Sequence, residues 1–240
     1  KYHCYALTVY KCIIIDNCYY RLLTVCVREG SGIMIKTISD YCKEKFGTKV
    51  YRLALTTGAT CPNRDGKVGV GGCSFCSEKG SGEFAIDVMD LDLQIERAKV
   101  LISKKFPNSI NAADRKYIAY FQSFSNTYGD TKRLIGLFER AINKDEVVAL
   151  SIATRPDCFS EEMLNSLERL NKIKPVWIEL GLQTINENTA RAFNRGYTLD
   201  VFEKTYDELK ERNFEVIVHM ILGLPGESKE DMYATAKYLA

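Results

Sequence analysis

Val50-Tyr51-Arg52-Leu53-Ala54-Leu55 alternates as a strand does, and the chain then enters a cysteine loop. The loop reads Cys61-Pro62-Asn63-Arg64-Asp65-Gly66 and, further on, Gly71-Gly72-Cys73-Ser74-Phe75-Cys76. Three thiols on one loop after one strand suit a metal centre that keeps one coordination position open. A closed structural site would need a fourth protein ligand. The two histidines, His3 and His219, both lie far away in sequence. A cubane iron–sulfur cluster with one free iron is the sharpest reading of the set. A zinc site, or plain buried thiols, is the alternative that a lone C-x-x-C leaves open.

Downstream, strands and helices alternate. Leu91, Ile95, Ala98, Ile102 and Phe106 keep helical spacing, and Tyr117 to Phe121 reads as a strand. Leu134, Phe138 and Ala141 mark a helix before a strand from Val147 to Ile152. Ser160 caps a helix carrying Met163, Leu167 and Leu170, with Glu161 and Glu162 in its first turn. Val176 to Leu180 is a strand, Phe202, Tyr206 and Leu209 a helix, and Glu215 to Leu222 a fifth strand. Ser228 with Asp231 forms a near capping box for a last helix. Upstream, Ile35 to Phe46 reads as a helix stopped by Gly47.

This rhythm predicts a parallel α/β sheet with its site at the carboxyl ends of the strands. Each unusual segment follows a strand. They are the cysteine loop, Gln122-Ser123-Phe124-Ser125-Asn126, Thr154-Arg155-Pro156-Asp157, Gln183-Thr184 and Gly223-Leu224-Pro225-Gly226-Glu227.

Composition narrows the class. The length of 240 residues suits one domain with a sizeable core. A net charge of +2 gives no support for a nucleic-acid patch or a membrane surface. The apolar run Cys12-Ile13-Ile14-Ile15 is broken at Asp16 and Asn17, too soon for a membrane span or a signal peptide. Nine cysteines without an export signal point to a reducing, cytoplasmic setting and metal or redox use. Residues 1–33 differ from the rest. They hold Cys4, Cys12, Cys18 and Cys26, show no helical period and end in Glu29-Gly30-Ser31-Gly32. The expectation is a non-native or disordered leader over 1–33, with Met34 as the natural start, and one domain over 34–240.

Taken together, the strand-end segments resemble the radical S-adenosylmethionine (SAM) superfamily. Phe75 before the last cysteine matches its cluster loop. The eleven residues between Cys61 and Cys73 exceed the usual spacing. They are similar to the subgroup of the elongator catalytic subunit and the YhcC-type bacterial proteins, of which the YhcC type fits best. Tyr120 to Tyr128, Thr154 to Asp157, Glu179 to Gln183, Asn194-Arg195-Gly196 and His219 to Glu227 carry the same likeness.

The resemblance implies a partial (β/α) TIM-like barrel, usually of six strands. With five strands visible, the chain is expected to be truncated after its fifth β/α unit, leaving the edge of the last strand open. It implies a [4Fe–4S] cluster on Cys61, Cys73 and Cys76, with SAM chelating the fourth iron. Reduction of the sulfonium then gives a 5′-deoxyadenosyl radical that abstracts hydrogen. It places Phe75 beside the adenine, Gln122 and Ser123 near the SAM amino group, Gln183 and Arg195 among its polar contacts and His219 at the ribose. It implies an electron donor such as flavodoxin or ferredoxin, and by the elongator analogy a substrate such as an RNA base. A cluster-bearing electron carrier or redox sensor without SAM chemistry is the competing class, and a zinc-stabilised domain is the third. Arg155 with Asp157 suits substrate or packing, and Cys158 reads as a buried free thiol.

Overall fold

The structure, a computed structural model, describes residues 37–82, 85 and 90–240, together with the backbone of 12–15 and 23–25. In chain order the elements are β1 (Cys12–Ile15), β2 (Leu23–Val25), α1 (Ile38–Phe46) and β3 (Val50–Leu55). Then come α2 (Leu91–Ile102), β4 (Lys116–Phe121), α3 (Thr131–Ile142), β5 (Val147–Thr154) and α4 (Glu161–Asn171). The last are β6 (Val176–Gln183), α5 (Glu187–Ala192), α6 (Leu199–Glu211), β7 (Glu215–Met220) and α7 (Lys229–Leu239).

The sheet order is β2-β1-β7-β6-β5-β4-β3. Strands β3 to β7 pair in parallel with their sequence neighbours, the pattern of a partial (β/α) barrel. Beyond β7 lies β1, parallel to it with Cys12 opposite Ile217, and β2 runs antiparallel to β1. The expected open edge of the last strand is therefore paired in this structure. The leader expected over 1–33 otherwise lies outside the described residues, and the helix expected from Ile35 begins at Ile38 because Thr37 is its extended cap.

Local signals explain most boundaries. Thr37 opens α1 with a capping box closed by Asp40, and Gly47 ends it at φ 71°. The Ser160 hydroxyl accepts from the Met163 N–H, as its sequence position predicts. The expected near box at Ser228 is complete, with both arms made to Asp231. Each such cap contributes about 1 kcal/mol.

Alternation along the strands separates two faces. Leu53, Leu55, Ala119, Phe121, Leu150, Ile152, Ile178, Leu180, Val216 and Val218 are buried in the outer core, with residues of helices α2 to α4, α6 and α7. The inner face is layered. At its amino-terminal end, Val50, Ile118, Ala149, Trp177 and Ile217 pack with Cys42 of α1, and Tyr41 and Ile38 lie against them. Helix α1 thus plugs that end of the inner face. Polar side chains follow towards the carboxyl ends.

Candidate metal and cofactor site at the carboxyl rim

The cysteine loop leaves β3 under restraint. Gln94 of α2, buried, accepts from the Thr56 N–H at 2.9 Å and donates to the Thr56 carbonyl at 3.2 Å. Asn126, also buried, donates to the carbonyls of Phe121 and Ala153 at 3.0 and 2.9 Å, and accepts from the Thr57 hydroxyl at 2.8 Å. One amide therefore joins the ends of β4 and β5 to the root of the loop. This accounts for an asparagine at the close of Gln122-Ser123-Phe124-Ser125-Asn126.

The loop is clasped from the far side of the sheet. Asn63 donates to the Asn194 carbonyl at 2.5 Å, and the Asn194 amide donates to the Gly72 carbonyl at 3.0 Å. The Ser74 N–H reaches the Phe193 carbonyl at 3.0 Å, and the Phe75 ring meets Phe193 edge-on at 5.2 Å. Cys73 packs on Ala190, Phe193 and Leu224. Helix α5, capped by Asn186, carries this clasp. The sequence reading had no element there. Six residues show too little periodicity, and Asn186 before Glu187 is the one signal that marks the start.

Cys61, Cys73 and Cys76 are free and partly buried. Asn63 Nδ2 lies 3.5 Å from Cys73 Sγ, and the Ser81 hydroxyl 3.6 Å from Cys76 Sγ. Both are weak donors to sulfur that support thiolates. Burial pushes the Cys73 thiol above its ordinary pKa, while Arg155 and Asn63 pull it down. Among the described residues, no three His, Cys, Asp or Glu side chains converge where they could share one ion. A mononuclear zinc site would gather its thiolates to within about 4 Å of one another. A four-iron cube puts each thiolate on a different iron and spaces them wider. Three thiols on one braced loop, with donors to two of the sulfurs, fit a metal group held by thiolates.

The residues expected around the cofactor fall in two groups. Gln122 lies at the carboxyl end of β4, and its Nε2 is buried with no hydrogen-bond partner among the described residues. An orphaned buried donor fits a ligand acceptor at that place. Ser123 is buried beside the end of the cysteine loop, so close to Gly82 that a Cβ there would come within 2.0 Å of its hydroxyl. Phe75 is 37% exposed, its edge already on Phe193.

Gln183 sits at φ 64°, where the β6–β7 register shifts. Its side chain folds back over Gly181 and accepts from the Tyr197 hydroxyl at 3.1 Å. A Cβ on Gly181 would lie 2.6 Å from Gln183 Nε2. His219, on the inner face of β7, has Nε2 at 2.8 Å from Glu179 Oε2. The Gly223 to Glu227 turn is tied to the end of β6 by the Thr184 hydroxyl, which donates to the Glu227 carboxylate.

Arg195 reaches the backbone on either side of Gln183. It is 1% exposed, and its guanidinium donates to the carbonyls of Tyr197, Leu182 and Thr184 at 2.9, 3.0 and 2.8 Å. The carboxylate it grips is Glu187, at 2.6 Å. Arg155 binds Asp157 through two nitrogens and donates to the Arg195 carbonyl at 2.8 Å. Both guanidinium carbons lie 4.8 Å from the Tyr197 ring. Burial pushes the Tyr197 hydroxyl well above its ordinary pKa. This cluster braces the segment that clasps the cysteine loop. Cys158 is buried beside it, its thiol pushed up first by burial.

The sequence profile of the radical SAM superfamily matches residues 55–239. The chain is 42% identical over 205 residues to the uncharacterized protein YtqA of Bacillus subtilis, covering 85% of this chain and 62% of that one. It is 32% identical over 192 residues to protein YhcC of Escherichia coli, covering 80% and 59%. The chain thus spans about three fifths of the length of these relatives. Among solved structures, archaeal Methanocaldococcus infernus Elp3 with an N-terminal deletion superposes with TM-score 0.52 at 20% identity, over 78% of this chain and 41% of that one. That likeness is one of fold. Among the described residues, no helix is long and apolar enough to cross a membrane.

Proposed function

Because the chain belongs to the radical SAM superfamily, in its YhcC-type group, we propose that it is an enzyme that holds a [4Fe–4S] cluster on Cys61, Cys73 and Cys76 and cleaves SAM reductively. The observation that carries this reading is the clasp. A loop bearing three thiols is held from β3, β4, β5 and the segment after β6, with donors to two of the sulfurs.

When bound, the cluster and SAM supply one-electron cleavage of the sulfonium and a 5′-deoxyadenosyl radical. The chain orients and shields. Asn63 and Ser81 donate to two of the thiolates. Gln122 offers a donor to the amino-acid end of SAM through its unpartnered Nε2 or its neighbouring backbone. Phe75, Gln183 and His219 line the nucleoside side. Ser123 fixes the rim between β4 and the cysteine loop. Arg195 contributes by holding the ends of β6 and α5 together. RNA is the first substrate class to try, by the resemblance to the elongator subunit.

Anaerobic reconstitution followed by iron and sulfide counting, then incubation with SAM and dithionite, tests the reading. The expected result is about four irons per chain, and 5′-deoxyadenosine in the products. A cluster that never cleaves SAM would move the protein to the electron carriers. Retention of zinc with no iron would move it to the structural zinc domains.

A further inference from the structure

One polar side chain per strand lines the inner face above the apolar plug: Arg52, Tyr120, Ser151, Glu179 and His219. Glu179 is the centre, with its carboxylate fully buried. Arg52 Nη2 lies 2.9 Å from Oε1, the Ser151 hydroxyl donates to the same oxygen, and His219 Nε2 stands 2.8 Å from Oε2. The Arg52 guanidinium also lies over the Tyr120 ring at 4.6 Å. Burial alone would raise the Glu179 pKa, but Arg52, His219 and Ser151 together hold it down to about 2. The group is thus a carboxylate throughout the physiological range.

A buried carboxylate only accepts hydrogen bonds. Nε2 of His219 must therefore carry the proton that lies between them. In the neutral ring this leaves Nδ1 as an acceptor. No hydrogen bond to Nδ1 is formed among the described residues, and the His219 side chain is 27% exposed. Balancing Arg52 needs only a carboxylate. The histidine on its other oxygen calls for a separate account.

We infer that Glu179 is a positioning residue that fixes His219 as the Nε2–H tautomer, so that Nδ1 receives a neutral O–H or N–H donor from a bound ligand. The inference rests on reading the inner face and its rim as the SAM and substrate site. The donor belongs either to the nucleoside half of SAM or to the substrate. A carboxylate or phosphate has no proton to give there, and it would face the fixed charge of Glu179.

The chain has two histidines, so 15N-histidine labelling resolves His219 once His3→Gln removes the other signal. While the ring is neutral, the expected spectrum shows a protonated Nε2 and an unprotonated Nδ1. Glu179→Gln should convert this to a mixture of tautomers. Ser151→Ala, which keeps the charge, should not. If Glu179→Gln fails to fold, the wild-type spectrum and Ser151→Ala still decide. An Nδ1–H tautomer in the wild type, or an unchanged tautomer in folded Glu179→Gln, overturns the inference.

Adding SAM to the cluster-loaded protein locates the donor. A shifted Nδ1 resonance, with about tenfold weaker SAM binding in His219→Phe, assigns it to the cofactor. Binding that leaves both unmoved assigns it to the substrate. A cluster-loaded wild type that binds no SAM sinks the cofactor reading, while the tautomer remains measurable on its own.

Discussion

Asn63 and Asn194 hold each other's segments. Asn63 gives its amide N–H to the Asn194 carbonyl, and Asn194 gives its own to the Gly72 carbonyl inside the cysteine loop. Asn194 does so at φ 61°, a conformation that asparagine tolerates better than most residues. The two residues stand 131 positions apart.

Asn194→Gly and Asn194→Ala should separate the bond from the backbone. Both lose the amide to Gly72, and Ala adds strain of about 1 kcal/mol at positive φ. Iron retained after gel filtration should fall in both variants, with the lower melting temperature in Ala. Full iron occupancy in both would show that the clasp does not hold the metal loop.

Gly181 and Gln183 are coupled. Gly181→Ala places a methyl 2.6 Å from Gln183 Nε2, so it should destabilise the protein and displace the amide. Gln183→Gly removes both the clash and the strained φ, and should raise stability by about 1 kcal/mol while weakening SAM binding. In a double-mutant cycle by thermal melting, the pair should cost less than the sum of the singles. Strict additivity would show that the side chain does not sit over Gly181.

Arg195→Ala removes a buried guanidinium from three carbonyls and Glu187, leaving Glu187 only the Leu199 N–H and the Leu182 carbonyl only the Thr184 N–H. The expected loss is at least about 3 kcal/mol, or roughly 6–12 °C in Tm for a chain of this size. A protein with unchanged Tm and weakened SAM affinity would instead restore the role that the sequence suggests for this arginine.

Glu179 makes stability depend on acid. Its folded pKa is lowered to about 2. The contribution is therefore fully present above the unfolded value, about 4.3, and is lost as pH falls towards 2. The stability difference between wild type and Glu179→Gln should shrink by a few kcal/mol, order of magnitude, over that window. Denaturant titrations at pH 6, 4 and 3 would measure it, and a difference that stays constant would contradict the depressed pKa.

The five parallel strands and most helices were legible because apolar residues repeat at spacings of two or of 3.6. The thiol loop was legible because its ligands share one segment. Four things were not. Helix α5 is too short to show a period. Three of the partners of Arg195 are backbone carbonyls, which no side-chain pattern reveals. The inner polar row was read only at His219, although Arg52, Ser151 and Glu179 sit mid-strand where a covered parallel sheet is normally apolar. That departure was the available signal. Strands β1 and β2 are short, and the pairing of β1 with β7 spans most of the chain, so no local pattern announces their place in the sheet.

The clasp also imposes a calendar on the protein's birth. Ribosomes add roughly 5–20 residues per second, so Asn194 follows Asn63 by roughly 7–26 s. Throughout that interval the three thiols lack the Asn194 arm of their brace, and only the Gln94 and Asn126 arms precede it. A nascent chain then offers iron, oxygen or a stray thiol the same three sulfurs in a mobile form. On the proposed reading of the loop as a cluster site, a cell would load the metal late or guard the loop until its distant partner arrives.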